Sequence, residues 1–259
     1  MVDNLRGFGV DVTVIEDTPD PHTPDAIFPN NWISFHRIGD GTVYLYPMQA
    51  PNRRLERRTD ILEMLQQRFR ISKTVDLSHY EAENKFLEGT GSMVLDRDYR
   101  IAYACLSPRT DAALLQAFAD KMDYDVVAFH ATDERGKAIY HTNVVMCVGE
   151  RFAVVCLECI AGEAERAAVR KALAESDKEI VEISIEQVNR FAGNMLQVRN
   201  RRGDRLLVMS SQAYHALLPH QLRQLEKYTQ ITYSDLTTIE RNGGGSARCM
   251  MAEIHLPEK

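Results

Sequence analysis

The chain has 259 residues, of which 44% are hydrophobic and 26% charged, and its formal net charge is −6. This composition excludes disordered, collagen-like and low-complexity proteins. Mild acidity with a single short basic run, Arg53–Arg58, argues against a nucleic-acid partner. No stretch approaches the roughly 18 apolar residues that a membrane span needs, and Met1–Arg6 lacks the apolar core of a signal peptide.

The cysteines indicate a reducing compartment. Five cysteines in a chain too large to need disulfide staples predict free thiols and a cytoplasmic location. Cys156 and Cys159 lie in an apolar run that we interpret as a buried strand, where residues three apart point to opposite faces. No second pair follows at zinc-finger spacing. We therefore expect neither a metal site nor redox chemistry at this pair.

The first half of the chain alternates predicted strands with helices. Alternating apolar and polar residues bounded by turn residues indicate the strands, and apolar residues at helical spacing indicate the helices. Gly39–Gly41 and Asp96–Arg100 are predicted hairpin turns. We expect strands at Val10–Ile15, Ala26–Phe35, Thr42–Tyr46, Thr74–Leu77, Ser92–Leu95 and Ile101–Leu106, and helices over 53–70 and from a Thr110 cap to Met122.

The second half repeats the same order of elements. A turn at Gly149–Arg151 predicts one more hairpin, and charge interleaved with alanine and leucine predicts a helix over Glu163–Glu175. The remaining predictions are strands at Val126–Phe129, His141–Val148, Phe152–Ile160, Glu179–Ile183, Gly193–Val198, Arg205–Met209 and Ile231–Asp235, a helical turn over 185–190, a helix over 213–227, and a final strand pair within Thr238–Leu256.

A strand, a hairpin and a helix thus recur about five times at a spacing near 50 residues, a period typical of radial or solenoid packing. Hairpins that are apolar on both faces must be covered, which favours an α/β propeller with its helices outside. No linker rich in Pro, Gly or Ser interrupts the chain, so we predict a single domain over residues 1–259. The alternative is an ordinary two-layer α/β fold in which the regular spacing of the elements arises by chance.

Four polar segments fall at equivalent strand edges, which a propeller would bring together. They are Pro24–Trp32, Phe86–Ser92, Tyr140–Asn143 and Asn242–Met250. Taken singly, Cys249 could be a small core residue, His141 a core histidine and Glu88 a surface carboxylate. Together they supply a nucleophile, an acid–base group and a carboxylate, and the glycines before Cys249 leave backbone N–H groups free to stabilise an anion.

These segments resemble the guanidino-group-modifying superfamily, also called penteins, which includes arginine deiminase, dimethylarginine hydrolase, glycine amidinotransferase and succinylarginine dihydrolase. The stretches that carry the resemblance are PDAIFPNNW, LEGTGSMVLDR and GGGSARCM, with a strand-starting His-x-Asn between the last two. They are most similar to the branch of citrulline-utilisation hydrolases or arginine-deiminase-related proteins. The resemblance implies a five-bladed α/β propeller (the pentein fold) and chemistry without a metal or organic cofactor.

The resemblance also implies roles for individual residues. Cys249 would attack the substrate carbon as thiolate, His141 would move protons, and Glu88 would bind substrate N–H groups. Arg53 and Arg109 match positions where related enzymes hold the substrate carboxylate, a task suited to the planar guanidinium. The alternative for each arginine is a solvated surface charge. We expect a small-molecule amino-acid substrate and no nucleic-acid or membrane partner, and the sequence leaves a homo-oligomer open.

Two departures from the superfamily pattern affect the expected function. Relatives usually begin with one more strand and helix ahead of Val2, so we expect an incomplete first unit. Asn31 and Asn143 stand where arginine deiminases carry Asp. A neutral amide can both donate to a carbonyl and accept from an N–H, which suits a neutral ureido group better than a guanidinium.

The expected reaction is hydrolysis of citrulline to ornithine, carbon dioxide and ammonia through a covalent cysteine intermediate. Arginine deiminase, dimethylarginine hydrolase and amidinotransferase activities remain alternatives. A non-catalytic scaffold, as in a translation initiation factor with the same fold, would have no reason to keep Cys249, His141 and Glu88 together. A papain-like protease would place its cysteine near the N-terminus rather than near the end of the chain.

Overall fold

The computed structural model describes residues 1–259, and its strands form four separate three-stranded sheets. In each sheet the first two strands pair antiparallel and the third runs parallel to the second. In chain order the strands are β1 (Ile33–His36), β2 (Thr42–Leu45) and β3 (Lys73–Asp76); β4 (Met93–Asp96), β5 (Ile101–Cys105) and β6 (Asp125–Phe129); β7 (Met146–Val148), β8 (Phe152–Val155) and β9 (Glu179–Glu182); and β10 (Leu196–Arg199), β11 (Arg205–Ser210) and β12 (Gln230–Ser234).

Helices connect the second and third strands of every sheet, as a parallel crossover requires. The crossover helices are α2 (Pro51–Arg54) and α3 (Thr59–Arg68), α5 (Ala112–Met122), α7 (Glu163–Glu175), and α9 (Ser211–Ala216) and α10 (Pro219–Glu226). The other helices are α1 (Val2–Gly7), α4 (Gly89–Ser92), α6 (Thr142–Val145), α8 (Ile185–Val188) and α11 (Thr237–Gly243). Short 3₁₀ turns form at Pro29–Asn31, Ile38–Asp40 and Ser78–Glu83.

The hairpins and crossover helices bury their apolar faces against one another. All five residues of β5 are buried, as are all four of β8. The buried face of α5 carries Leu114, Leu115 and Phe118, which pack with residues of the first and second sheets. The largest apolar cluster joins the second, third and fourth sheets. Because both faces of the central strands are covered, their sequences are nearly continuous apolar runs.

Several helix boundaries differ from the predicted ones. The causes are a proline, an extended residue between two helices and a different capping residue. The helix predicted over 213–227 is broken at Leu218, which is extended because Pro219 follows it. The helix predicted over 53–70 is likewise two helices, separated by an extended Arg58. Asp111, rather than the predicted Thr110, caps α5 by accepting from the N–H groups of Ala113 (2.9 Å) and Leu114 (3.0 Å).

Two predicted strand regions are wrong. Val10–Ile15 is irregular and has no strand beside it, and Val14 is 53% exposed. The final strand pair within Thr238–Leu256 is replaced by α11 and an irregular segment. Asp235 accepts from the N–H and hydroxyl of Thr237 at the start of α11, which favours helix there.

The fold is therefore mixed α/β, as predicted, but a five-bladed propeller is not confirmed. Four sheets form where five units were expected, and the segment after α11 packs without strands on the first sheet. Leu256 lies in an apolar cluster with Trp32 and Phe35, and the backbone N–H of Arg70 donates to the Pro257 carbonyl (2.8 Å).

The prediction that Cys156 and Cys159 point to opposite faces is also wrong. The strand β8 ends at Val155, and the four residues from Cys156 to Cys159 form a turn that brings the two Sγ atoms to 3.0 Å. All five cysteines are buried and unpaired. None of the helices is both long and apolar enough to cross a membrane.

Candidate active site

Three of the four polar segments singled out by the sequence lie on turns that lead into the first strand of a sheet. The prediction is wrong for the fourth, Asn242–Met250, which follows α11 and leads into no strand. Pro29–Asn31 precedes β1, Glu88 and α4 precede β4, and His141 and α6 precede β7. A fourth turn, ending at Asn194, precedes β10. The chain thus places a short polar turn at the same point of all four hairpins, which gives the residues of the site a common structural origin.

Glycines let neighbouring turns approach at backbone distance. A Cβ atom on Gly89 would lie 2.3 Å from the backbone carbonyl oxygen of Asn30, and one on Gly91 would lie 2.3 Å from the side-chain Nδ2 of Asn31. A Cβ atom on Gly193 would lie 2.2 Å from the carbonyl oxygen of Val144. These contacts exclude any side chain, so the turns interlock only because glycine occupies these positions.

His141 and Glu88 form a buried pair. His141 Nε2 lies 2.7 Å from Glu88 Oε2, and both side chains are almost completely inaccessible to solvent. The other carboxylate oxygen accepts from the backbone N–H of Gln49 (3.0 Å). The carboxylate can only accept, so Nε2 carries the proton and His141 Nδ1, which has no hydrogen bond in the protein, holds the lone pair.

The environment keeps this pair in its Glu⁻–neutral His form. Burial raises the pKa of Glu88, but the hydrogen bond from His141 and the charge of Arg109 outweigh it and lower that pKa to about 2. Burial lowers the pKa of His141 below its ordinary value, and the hydrogen bond to Glu88 only partly offsets this. At neutral pH the carboxylate is therefore ionised and the imidazole is available as a base.

Cys249 lies on a tight turn held by amide side chains. Its Sγ atom lies 3.3 Å from Asn194 Nδ2 and 3.6 Å from Asn143 Nδ2. Asn194 is itself fixed, because Nδ2 also donates to the Asn143 carbonyl (2.9 Å) and Oδ1 accepts from the N–H of Arg248 (3.0 Å). In the amide orientation that satisfies its neighbours, Asn30 donates to the Cys249 carbonyl (2.7 Å). The sulfur thus lies within reach of two amide N–H donors and, at 3.7 Å, of the Asn194 amide oxygen.

One cavity of about 130 Å³ joins these groups. His141, Cys249, Asn31 and Asn194 line it, whereas Glu88 and Asn143 lie behind the lining. Asn31 Nδ2 lies 3.4 Å from His141 Nε2. The remaining lining is formed by Asp25, Phe28, Ala50, Arg53, Arg109, Tyr140, Val144, Phe191 and Gly243–Gly245.

The two predicted arginines both line the cavity, but they differ in how many of their guanidinium donors are already hydrogen-bonded within the protein. Arg53 is buried and donates two hydrogen bonds to Glu56 (2.8 and 2.9 Å) and others to the carbonyls of Asp25 and Phe28. Its Nη1 group alone makes no hydrogen bond in the protein. Arg109 lies 4.7 Å from the centre of the Tyr140 ring and touches Glu88 through Nη1 (3.4 Å), which leaves most of its donors free.

Three residues of the site carry roles that were not predicted from the sequence. Asn194 contacts the Cys249 sulfur, Asp25 lines the cavity, and Glu56 neutralises Arg53. A signal for Asn194 was available, since Gly193-Asn194 comes just before a hairpin strand, as the other polar turns do. Glu56 carries no such signal, because its role depends on the i,i+3 geometry of the chain just after α2. No group of three His, Cys, Asp or Glu side chains is arranged to hold a metal ion.

Solved structures with this fold are distant in sequence. The cysteine-to-serine variant of the N-terminal domain of ArgZ, an arginine dihydrolase from the ornithine-ammonia cycle in cyanobacteria, has been solved bound to substrate. It matches with a TM-score of 0.67 at 18% identity over 92% of this chain and 80% of that one. Unliganded AgrE matches with a TM-score of 0.69 at 19% identity over 93% of this chain. The chain spans only 35% of the length of ArgZ and 32% of AgrE.

A dimethylarginine dimethylaminohydrolase, solved as an adduct with S-methyl-L-thiocitrulline, matches with a TM-score of 0.63 at 18% identity over 96% of this chain and 85% of that one. No curated protein sequence matches the chain. The family described as N,N dimethylarginine dimethylhydrolase, eukaryotic, matches residues 1–256. The chain therefore belongs to this hydrolase family, within the guanidino-group-modifying pentein superfamily.

Proposed function

We propose that the chain is a cysteine-dependent hydrolase of the ureido or guanidino carbon of an arginine-like amino acid, with citrulline as substrate and ornithine, carbon dioxide and ammonia as products. The observation that carries this proposal is the meeting of Cys249, ringed by amide donors, and the buried His141–Glu88 pair on one small cavity. A nucleophile and a base oriented by a third group form the arrangement that covalent catalysis needs.

The proposed reaction has two covalent stages. His141 Nδ1 takes the proton of the Cys249 thiol, and the resulting thiolate bonds to the carbonyl carbon of the ureido group. The bond from that carbon to the δ-nitrogen then breaks as the His141 imidazolium gives this proton to the departing amine of ornithine. The sulfur is left carrying a carbamoyl group. His141 then takes a proton from water, whose oxygen attacks the same carbon and releases carbamate, and carbamate breaks down to carbon dioxide and ammonia.

Glu88 acts in this scheme through His141. Both of its oxygens already accept hydrogen bonds from protein groups, and it lies behind the cavity lining. Its charge fixes the Nε2–H tautomer, which leaves Nδ1 as the proton-transfer atom, and stabilises the imidazolium form during turnover. This role differs from the binding of substrate N–H groups that the family resemblance implies.

The asparagines favour a neutral reacting group. Asn31 lines the cavity, and the buried Oδ1 atom of Asn143 has no hydrogen-bond partner although its Nδ2 lies 3.6 Å from the sulfur. A ureido group offers a carbonyl oxygen for the amide donors on the cavity wall, Asn31 and Asn194, and N–H donors for the Asn31 amide oxygen.

Charged groups on the cavity suit the amino-acid end of the substrate. Arg109 has free guanidinium donors, and Arg53 adds its one unengaged group, Nη1, so the two could hold an α-carboxylate. Asp25 lines the same cavity and could pair with the α-ammonium group. The Glu56 carboxylate keeps Arg53 from adding a net positive charge.

A second candidate is hydrolysis of arginine or a methylated arginine at the same site. The match of residues 1–256 to a dimethylarginine dimethylhydrolase family favours it, as do the arginine dihydrolase name of ArgZ and the covalent reaction intermediate solved on an asparagine-to-serine variant of it. The same cysteine, histidine and carboxylate would serve, and the leaving group would be ammonia or a methylamine.

The test is a substrate panel with purified protein: citrulline, arginine, methylated arginines and agmatine, with ornithine, citrulline and ammonia measured as products. We expect ornithine and ammonia from citrulline and little turnover of agmatine, which lacks the carboxylate. Accumulation of citrulline from an arginine substrate, with citrulline itself untouched, would establish the second candidate. An amidinotransferase would transfer the group to an added free amine instead of to water. Products that stay the same when free amines are added would therefore exclude this activity.

The matched variants are Cys249→Ser and Cys147→Ser, which each remove one buried thiol. Cys249→Ser should abolish turnover of every substrate, and Cys147→Ser, which lies on β7 away from the cavity lining, should keep it. Activity retained by Cys249→Ser would refute the assignment of the nucleophile.

A further inference from the structure

Two thiols that the proposed reaction does not use lie beside the candidate active site. Cys156 and Cys159 are 0% and 1% exposed, and Cys159 Sγ donates to Cys156 Sγ across 3.0 Å. A disulfide bond would need the sulfurs to approach by about 1 Å. The residues between them form an irregular turn rather than a strand, so small backbone rotations can supply that movement.

A second cavity gives small molecules a route to Cys159, whose sulfur lies 3.0 Å from that of Cys156. It has a volume of about 260 Å³, and Cys159 forms part of its wall. It shares Tyr140, Val144, Phe191 and Gly244 with the cavity that contains Cys249. The pair is also tied to the turn that carries His141, because the N–H of Cys156 donates to the carbonyl of Val145 at the end of α6 (3.0 Å).

We propose that Cys156 and Cys159 are a modification site, a dithiol that hydrogen peroxide converts to an intramolecular disulfide. The Cys156 thiolate attacks one peroxide oxygen, the O–O bond breaks, and hydroxide leaves, so that Cys156 becomes a sulfenic acid. The Cys159 thiol then attacks that sulfur and expels water as the S–S bond forms. Two thiols and one peroxide thus give one disulfide and two waters.

The other buried cysteines outside the active site lack these features. Burial raises the pKa of Cys105 to about 11 and that of Cys147 to about 12, which keeps both as unreactive thiols. The hydrogen bond from Cys159 instead lowers the pKa of Cys156, and the same hydrogen bond together with burial raises that of Cys159. The pair therefore has one sulfur suited to attack the oxidant and one thiol suited to resolve the product.

The sequence makes the test direct, because tryptic cleavage after Arg151 and Arg166 yields a peptide, residues 152–166, with these two cysteines and no other. Folded protein is treated with hydrogen peroxide and then unfolded in the presence of N-ethylmaleimide, which blocks free thiols. The protein is digested with trypsin, and the peptide masses are measured by mass spectrometry. We expect this peptide to appear unblocked and lighter by two hydrogen atoms than its dithiol form. Dithiothreitol before blocking should restore the doubly blocked peptide.

The matched variants are Cys159→Ser and Cys105→Ser. In Cys159→Ser the lighter peptide should vanish, and dimedone should capture the sulfenic acid on Cys156; in Cys105→Ser the lighter peptide should persist. Oxidation of Cys249 shows that the peroxide has reacted with the protein. If peptide 152–166 is still doubly blocked at that point, or is bridged to Cys105, the proposal is overturned. The readout does not depend on turnover, so it stands apart from the proposed function.

Discussion

The turns that lead into the four sheets and the turn that carries Cys249 are built differently. Each of the first four is followed at once by a strand that pairs antiparallel with the next. The Cys249 turn is followed by an irregular segment, and its own backbone hydrogen bonds reach only to Ser246 and Ala247. Its position depends instead on side chains, namely the amides of Asn194 and Asn30 and the ring of Phe28.

This difference indicates that the two kinds of turn hold different kinds of catalytic group. Sheet ladders fix the groups that must hold charge and orientation, such as Glu88 and His141, because those groups are costly to bury without a rigid frame. The nucleophile, which must change its bonds twice in the proposed reaction, is held by side-chain contacts that can adjust. Substitutions in the sheet-backed turns should therefore affect stability and activity together, and those in the Cys249 turn mainly activity.

Among the substitutions that leave the nucleophile in place, Glu88→Gln has the largest expected effect. The amide keeps the size of the carboxylate but removes the charge that orients His141, so we expect kcat to fall by about 10²–10⁴. The control is Glu81→Gln, because Glu81 accepts from the N–H of Met48 much as Glu88 accepts from that of Gln49, and it lies outside the cavity lining. Equal activity in the two variants would contradict the role given to Glu88.

Acid should destabilise the fold through the same carboxylate. The pKa of Glu88 is lowered in the folded protein from 4.5 to about 2. The stabilisation is therefore present above pH 4.5 and is lost as the pH falls towards the folded value, with a full loss of about 3 kcal/mol. Urea unfolding of wild type and Glu88→Gln over this range should show the free energies converging as the pH falls. A constant difference would refute the lowered pKa.

Gly193→Ala tests the interlocking of two sheet-backed turns. The new Cβ atom would meet the carbonyl oxygen of Val144 at 2.2 Å, and backbone cannot swing aside as a side chain can. We expect a loss of about 2 kcal/mol in the free energy of unfolding, together with lower activity. Gly7→Ala, whose Cβ atom would meet nothing within 4 Å, is the control and should leave stability nearly unchanged.

The smallest expected change in stability is that of Gly245→Ala, in the Cys249 turn. Its Cβ atom would lie 2.8 Å from the Phe28 ring and 3.3 Å from the Cβ atom of Cys249. The ring can rotate away, so the free energy of unfolding should change by less than about 1 kcal/mol, while displacement of the thiol lowers turnover. A loss of stability greater than that of Gly193→Ala would reverse the comparison between the two kinds of turn.

Local patterns in the sequence predicted most of the regular elements. The helix α7 has the predicted bounds Glu163–Glu175, and every strand from β1 to β12 overlaps a predicted one. Errors fall where the outcome depends on a distant partner. Val10–Ile15 reads as a strand but has no neighbouring strand to pair with, and the strand pair expected within Thr238–Leu256 is replaced by α11 and an irregular segment.

For the site, residue types and order in the chain were informative, whereas contacts were not. Cys249, His141 and Asn31 line one cavity, as predicted, but Cys249 lies on a turn that leads into no strand rather than at an equivalent strand edge. No local pattern could show that Glu56 occupies the bidentate edge of Arg53, or that a turn would bring Cys156 and Cys159 together. Both depend on side-chain directions that spacing alone does not determine.

The order of the site residues along the chain has a consequence for synthesis. Asn31, Glu88, His141 and Asn194 all leave the ribosome before Cys249, and the Asn30 side chain meets the Cys249 carbonyl only at the end. The amide and imidazole groups can therefore be in place when the nucleophile emerges. The Cys249 turn can therefore dock on side chains that were synthesised before it.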